Sequence, residues 1–359
     1  MSPLVEFFDT TGCIPEGISI RTHPIPLITG SLAVPRWLRL GLKSLLTASV
    51  LVALGVTVDP TTLADSLNDA HWVWVGVALL LTPLNLILDG WVWKQLLTPV
   101  VDRVSLSSLA GAVLSGIALG FWTPARTGEY AGRALSLPRG DRWSISLTVF
   151  TQRMVDMAVG VTVGFLALSW AFMKGVLPLS SPWLAAATIG LGTSLSLVTL
   201  ILVPTRVHRC VQWLLPKRTN ITDRTALFKR YSRDHGMRVI GGSIARYFVF
   251  ATQLVCLGMA FTPSSSWVLL AAGAGLTFYA KYLIPSLTFL DLGIREGSAA
   301  FFFQQLGVGA AAGLNAALVL FVLNILVPAL LGIPFLTRLH VPDISGKAET
   351  QVPVSPRQQ

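Results

Sequence analysis

The chain has 359 residues, of which 53% are hydrophobic and only 12% charged, and its mean hydropathy is +0.66. That leaves too little polar surface to close around an aqueous core, so a soluble globular domain is excluded and an integral membrane protein expected. The formal net charge of +10 does not point to nucleic acid, because the basic residues flank apolar runs without an aromatic platform between them; the positive-inside rule accounts for them.

In chain order, residues 1–35 are rich in Pro, Ser, Thr and charge and read as a mobile tail. They lack a basic stretch ahead of an apolar one, so no cleaved signal is expected and the first span serves as its own anchor. Apolar runs long enough for a hydrocarbon core of about 30 Å extend over 38–58, 71–97, 143–172, 183–203, 239–261 and 310–336. Two others, 107–122 and 267–280, are too short for an ordinary crossing and rich in Gly and Ala, which suits re-entrant segments packed inside protein. Residues 340–359 read as a second mobile tail. The cysteines, Cys13, Cys210 and Cys256, are odd in number and share no disulfide or metal spacing.

Loop charge bears on the topology. The 204–237 loop carries Arg206, Arg209, Lys217, Arg218, Arg224, Lys229, Arg230 and Arg233 against Asp223 and Asp234, which places it in the cytoplasm. If all eight runs crossed, either this loop or the basic RWLRLGLK before the first span would face outward. If the two short runs dip in and return, both termini and every basic loop face the cytoplasm, while Asp59, Asp65, Asp69 and a lone Lys174 lie outside. Within a 36–339 transmembrane domain, residues 38–172 and 183–337 then form two half-repeats of inverted topology, with one hairpin opening to each face. The expected fold is therefore an all-α polytopic helix bundle of six full spans plus two re-entrant hairpins, with eight full spans as the alternative.

Charges inside these runs mark the candidate site. In FWTPARTGEYAGR, Arg126, Glu129, Tyr130 and Arg133 stand at i, i+3, i+4 and i+7, so a helical returning arm would put them on one face. Two guanidiniums around a carboxylate make a net-positive stripe whose planar donors match phosphate; a solvated loop of self-paired ions is the alternative. Pro124 and Gly128 would break the backbone at the hairpin tip. The second hairpin repeats the pattern, with Lys281 before Pro285, then Asp291, Gly293, Arg295 and Glu296. Gln152, Arg153 and Asp156 lie well inside the 143–172 run, where Arg153 can pair with Asp156 at i+3 and Gln152 can reach it at i+4; this set is either a structural ion pair or the wall of a polar cavity. Arg246 has no acid on its own run, so Asp291, Glu296, a backbone carbonyl or an anionic ligand must meet it. Asp89, with Asn85 one turn before it, is a lone acid that could equally snorkel to the interface. No nucleotide-binding loop, HExxH, GxSxG or Cys/His cluster appears, so no cofactor or metal is expected.

The motifs TPARTGEYAGRALSL, VFTQRMVDMAVG and IPSLTFLDLGIREGSAAFFFQQLGV, followed by a last span bearing Asn and Pro, resemble the transmembrane region of lysylphosphatidylglycerol synthases. In that family this is the flippase-like part of the multiple peptide resistance factors and of stand-alone relatives. Gln152 stands where the family usually has Glu, which puts charge coupling through that position in doubt. The synthases' soluble aminoacyl-transferase domain has no counterpart in this sequence, so lysyl-lipid synthesis is not expected. The resemblance implies a non-enzymatic lipid translocase of the cytoplasmic membrane, driven by gradients rather than ATP. Its substrate would be an anionic or zwitterionic phospholipid or a polyprenyl-phosphate-linked glycan. Arg126, Arg133, Arg153 and Arg295 are expected to meet the phosphate, Arg246 with less weight, while Glu129, Asp156 and Glu296 hold them in place. The competing reading is an accessory membrane protein whose 204–237 loop docks a cytoplasmic glycosyl- or acyl-transferase. A membrane-embedded transferase is a third, but no base and nucleophile pair supports it.

Overall fold

The computed structural model describes residues 70–101, 103–123, 126–177, 187–192, 231–284, 293–337 and 339. Helices begin where the sequence offers an oxygen to an otherwise unpaired backbone N–H. Ser105 caps α2 (Leu106–Phe121) by accepting from the Ser108 N–H, and Asp141 caps α4 (Arg142–Met173) by accepting from that of Ser144. Ser232 and Ser266 do the same for α5 (Arg233–Phe261) and α6 (Trp267–Leu283). The remaining elements are α1 (Trp72–Leu97), α3 (Gly128–Ser136), α7 (Ile294–Gln305), α8 (Ala310–Phe321), a π-helical turn over Val322–Leu326, and α9 (Val327–Leu336).

Four helical stretches among the described residues are long and apolar enough to cross a membrane: Trp72–Leu97, Arg142–Met173, Arg233–Phe261 and Ala310–Leu336. They match four of the six expected spans. The run 38–58 lies outside the described residues; of 183–203 only 187–192 are described, and these are helical. The two short runs form helices of 16 and 17 residues, about 24–26 Å long at 1.5 Å per residue. Two boundaries differ from expectation. The fifth span starts at Arg233 rather than 239, because the Ser232 cap draws the end of the basic loop into the helix. α6 runs on to Leu283, which places Lys281 in its last turn.

The last span is not uniform. Pro328 has no N–H to return to the carbonyl of residue 324, and the ladder widens just before it: the Val327 N–H reaches the Val322 carbonyl instead. This turn carries Asn324 inward, where it is 8% exposed.

α1 lies along α5, α2 doubles back on α3 and is crossed by α9, and α6 packs on α4 and α7. The α2–α3 hairpin closes backbone to backbone: a Cβ on Gly132 would sit 2.7 Å from the Gly116 Cα. Ser115 and Ser136 hydroxyls, 2.5 Å apart, stitch the same crossing. Leu254, Leu257, Leu270, Phe278 and Phe303 build one apolar core, and Trp93, Leu97, Val113, Ile117 and Ile145 another. Tyr247 belongs to the first and Tyr130 packs on the second, and both also border the polar site.

Candidate functional site

Four helices each contribute charge to one cluster. α1 supplies Asp89, α3 Glu129 and Arg133, α4 Gln152, Arg153 and Asp156, and α5 Arg246. Asp89, Arg153, Asp156 and Arg246 lie roughly two turns or more inside their helices, where a lone charge is costly and a paired one tolerable.

Arg133 is the centre of this cluster. Its Nη2 donates to Asp89 Oδ2 at 2.5 Å and to Glu129 Oε1 at 2.6 Å, and its Nη1 to Gln152 Oε1 at 3.0 Å. Its guanidinium carbon lies 5.0 Å from the centroid of the Trp93 ring. Gln152 completes the circuit by donating from Nε2 to the Asp89 carboxylate and carbonyl, both at 3.1 Å. Gln152 thus serves Asp89 and Arg133, not Asp156 as its i, i+4 spacing suggested, because α1 approaches that side of α4.

Three more arginines surround the acids. Arg153 bonds Glu129 through Nη2 and approaches Asp156 at 3.4 Å through Nη1. Arg246 meets Asp89 at 3.1 Å and is bonded to Asp156. Its partners among the described residues therefore come from α1 and α4, two acids the expectation did not name, and Glu296 is not one of them. Asp89 is 3% exposed, so it does not snorkel. Arg126 reaches Glu129 Oε2 at 3.4 Å but stands outside α3, with the left-handed φ of +55°. The expected single helical face therefore holds for Glu129, Tyr130 and Arg133 and not for Arg126. The Thr123 hydroxyl, which accepts from the Gly128 N–H at 2.6 Å, bridges the turn and starts α3 at Gly128.

Beside this cluster lies a cavity of about 270 Å³ bordered by Arg126, Arg153, Arg246 and Lys281, by the three acids, and by Asn85, Asn324 and Tyr247. The side chains of Arg126, Arg153 and Arg246 keep 24%, 23% and 20% of their surface accessible, whereas Arg133 keeps 0%. Arg133 is the linchpin behind the wall and its neighbours are the wall itself. Among the described residues the cluster sets four guanidiniums against three carboxylates, and Lys281 borders the cavity beside them.

Of the second hairpin's residues Lys281 borders the cavity, whereas Arg295 and Glu296 stand apart from it. Arg295 donates from Nε and Nη2 to Glu296 Oε1, at 3.1 and 2.5 Å, and packs over Phe321. Glu296 also accepts the Gly293 N–H at 2.8 Å, and Gly293 takes a φ of +106° that favours glycine. Neither Arg295 nor Glu296 borders the cavity. Pro124, Pro285 and Asp291 lie outside the described residues. Site residues that sequence reasoning underweighted are Asp89, Asn85, Lys281 and Asn324. A lone acid deep in an apolar run was the signal for the first; Asn85, which donates to Asn324 Oδ1 at 2.7 Å, had only that proximity.

A family model described as the lysylphosphatidylglycerol synthase TM region matches residues 41–332. Neither a curated protein nor a solved structure gives a significant match.

Proposed function

Because this chain belongs to the lysylphosphatidylglycerol synthase transmembrane-region family and is a multi-pass membrane protein, we propose that it carries a phosphate-bearing lipid across the cell membrane without ATP. The observation that supports this reading is a cavity lined by three partly accessible guanidiniums among helices long and apolar enough to cross a membrane. Burying such a set is expensive unless the charges are paired or meet an anion; here each described acid is met by at least two guanidiniums, and three of those guanidiniums keep part of their surface accessible. Arg126, Arg153 and Arg246, with Lys281, are the groups proposed to meet the phosphate. Glu129, Asp89 and Asp156 aim them, and Arg133 and Gln152 lock the acids.

In the proposed cycle the headgroup passes through this polar cavity while the acyl chains stay in lipid. The α2–α3 and α6–α7 pairs act as re-entrant hairpins of an inverted repeat, opened in turn to the cytoplasm and the outside; Arg295 and Glu296 belong to the outward one. The chain acts as a translocase and not as an enzyme, with both termini cytoplasmic.

Reconstitution tests the reading. Purified protein in vesicles should speed the crossing of acyl-labelled phospholipid, read by dithionite quenching, and Arg153→Ala should slow it by about tenfold or more, the loss of one charge-assisted contact. An unaccelerated flip, or one indifferent to Arg153→Ala, would sink it.

A further inference from the structure

The two halves of the last span hold different parts of the molecule. α8 packs along α7 and rests on α5, whereas α9 packs along α2. Each half meets its short helix backbone to backbone. A Cβ on Gly313 of α8 would overlap the Ala299 carbonyl oxygen of α7, and one on Gly332 of α9 would overlap the Leu114 carbonyl oxygen of α2. No side chain lies between them to give, so α8 with α7 and α9 with α2 fit as rigid pairs. Among the described residues α8 has no comparable packing against α2 or α3, and α9 none against α6 or α7.

Between the halves lies the widened turn over Val322–Leu326, followed by Pro328, which has no N–H to offer residue 324. Helices bend at such turns and at prolines, because the regular ladder is already interrupted there. Two side chains connect this point to the rest of the molecule. Phe321 ends α8 and is 7% exposed. Its ring centroid lies 6.3 Å from that of Phe121, the last residue of α2, and 5.7 Å from the guanidinium carbon of Arg295, in the first turn of α7. One ring thus touches an end of each short-helix pair. Three residues on, Asn324 accepts from Asn85 at 2.7 Å beside the cavity, so a bend at the turn moves the cavity wall as well.

We propose that the last span is a hinged lever coupling the two short-helix pairs. α8 moves with α7, α9 moves with α2, and bending over Val322–Leu326 opens one pair as it closes the other, with Phe321 keeping both ends against the pivot. The proposal rests on the lipid-carrier reading above and names the element that links its two openings. An unbroken ladder through residue 328 would join the halves into one rod and stop the exchange.

Restoring the missing N–H tests this. Pro328→Ala, or Pro328→Val, closer in volume, where the first melts lower, lets the ladder close. Melting temperature in detergent should hold or rise, because proline is the residue least suited to a helix interior, while lipid crossing in vesicles should fall about tenfold or more, as expected for a blocked hinge. Spin labels on Ala311→Cys and Ile333→Cys, exposed positions on either side of the turn, report the bend directly by double electron–electron resonance in a Cys13→Ala, Cys210→Ala, Cys256→Ala background. The span with Pro328 should give two distances or one broad distribution and the Pro328 variant a single narrow one. Labels on Leu106→Cys and Ile333→Cys, within the α2–α9 pair, should stay narrow in both. Crossing unchanged in the variants, a loss of crossing matched by a loss of melting temperature in both, or a single narrow 311–333 distance with Pro328 in place would overturn the proposal. A collapse from two distances to one in a protein that moves no lipid would leave the lever standing and overturn the carrier reading alone.

Discussion

Arg133 and Arg153 sit one helix apart and are the same residue type, yet their surroundings assign them different work. Arg133 is inaccessible and bonded to Asp89, Glu129 and Gln152. Removing it leaves two buried carboxylates short of their main partner, so Arg133→Ala should cost about 3–5 kcal/mol of stability, visible as a large drop in detergent melting temperature. Arg153 has about a quarter of its side chain open to the cavity, and Glu129 keeps Arg126 and Arg133 without it. Arg153→Ala should therefore lose less stability than Arg133→Ala and more lipid movement per folded molecule. A reversed ranking would show that the wall and its support are misassigned. At this scale the local pairings were legible, because i, i+3 and i, i+4 neighbours meet on any helix: Glu129 with Arg133, and Arg153 with Asp156. Arg246 was not, since its acids lie ninety or more residues away and no spacing rule reaches them.

Among the elements, the α2–α3 hairpin depends on contact between backbones. Val at 132 would drive its side chain into the Gly116 backbone, and the Ser115 carbonyl would be 2.8 Å from its Cβ. Gly132→Val should destabilise by about 1–3 kcal/mol or more through overpacking and should displace Glu129 and Arg133 with α3, so that melting temperature and lipid movement fall together. The widened turn before Pro328 has a subtler part. It delivers Asn324 to Asn85 across 2.7 Å and thereby ties the last span to α1. A double-mutant cycle of Asn85→Ala and Asn324→Ala should give a coupling of about 0.6–1.7 kcal/mol, the range for hydrogen bonds between membrane helices; a coupling near zero would mean the bond holds nothing. Gly and Ala content signalled tight packing in the sequence, but which glycine faces which backbone depended on how the helices cross.

For the molecule as a whole, charge set among helices long and apolar enough to cross a membrane has an electrical consequence. If the carried headgroup bears one net negative charge, an inside-negative potential favours its outward passage by roughly 2.3 kcal/mol per 100 mV, about forty-fold in the equilibrium ratio. Vesicles clamped with a potassium diffusion potential should show labelled anionic lipid gathering in the positive leaflet's side and reversing with polarity. A distribution blind to polarity would mean that the charge crosses with a counter-ion.

Composition and run length were enough to determine a membrane-embedded all-α chain, its four described spans and its two short helices, because a hydrocarbon solvent imposes length and apolarity locally. Deep charges flagged a site for the same reason: in an apolar run they have to be explained. The tertiary structure decided how those charges are matched. It joined Asp89 to Arg133 and Arg246, put Arg133 behind the cavity and Arg126, Arg153 and Arg246 on it, and kept Arg295 with Glu296 elsewhere. Pairing between charges on different helices follows from crossing geometry, and that geometry is set by packing spread over the whole chain rather than by any one stretch of it.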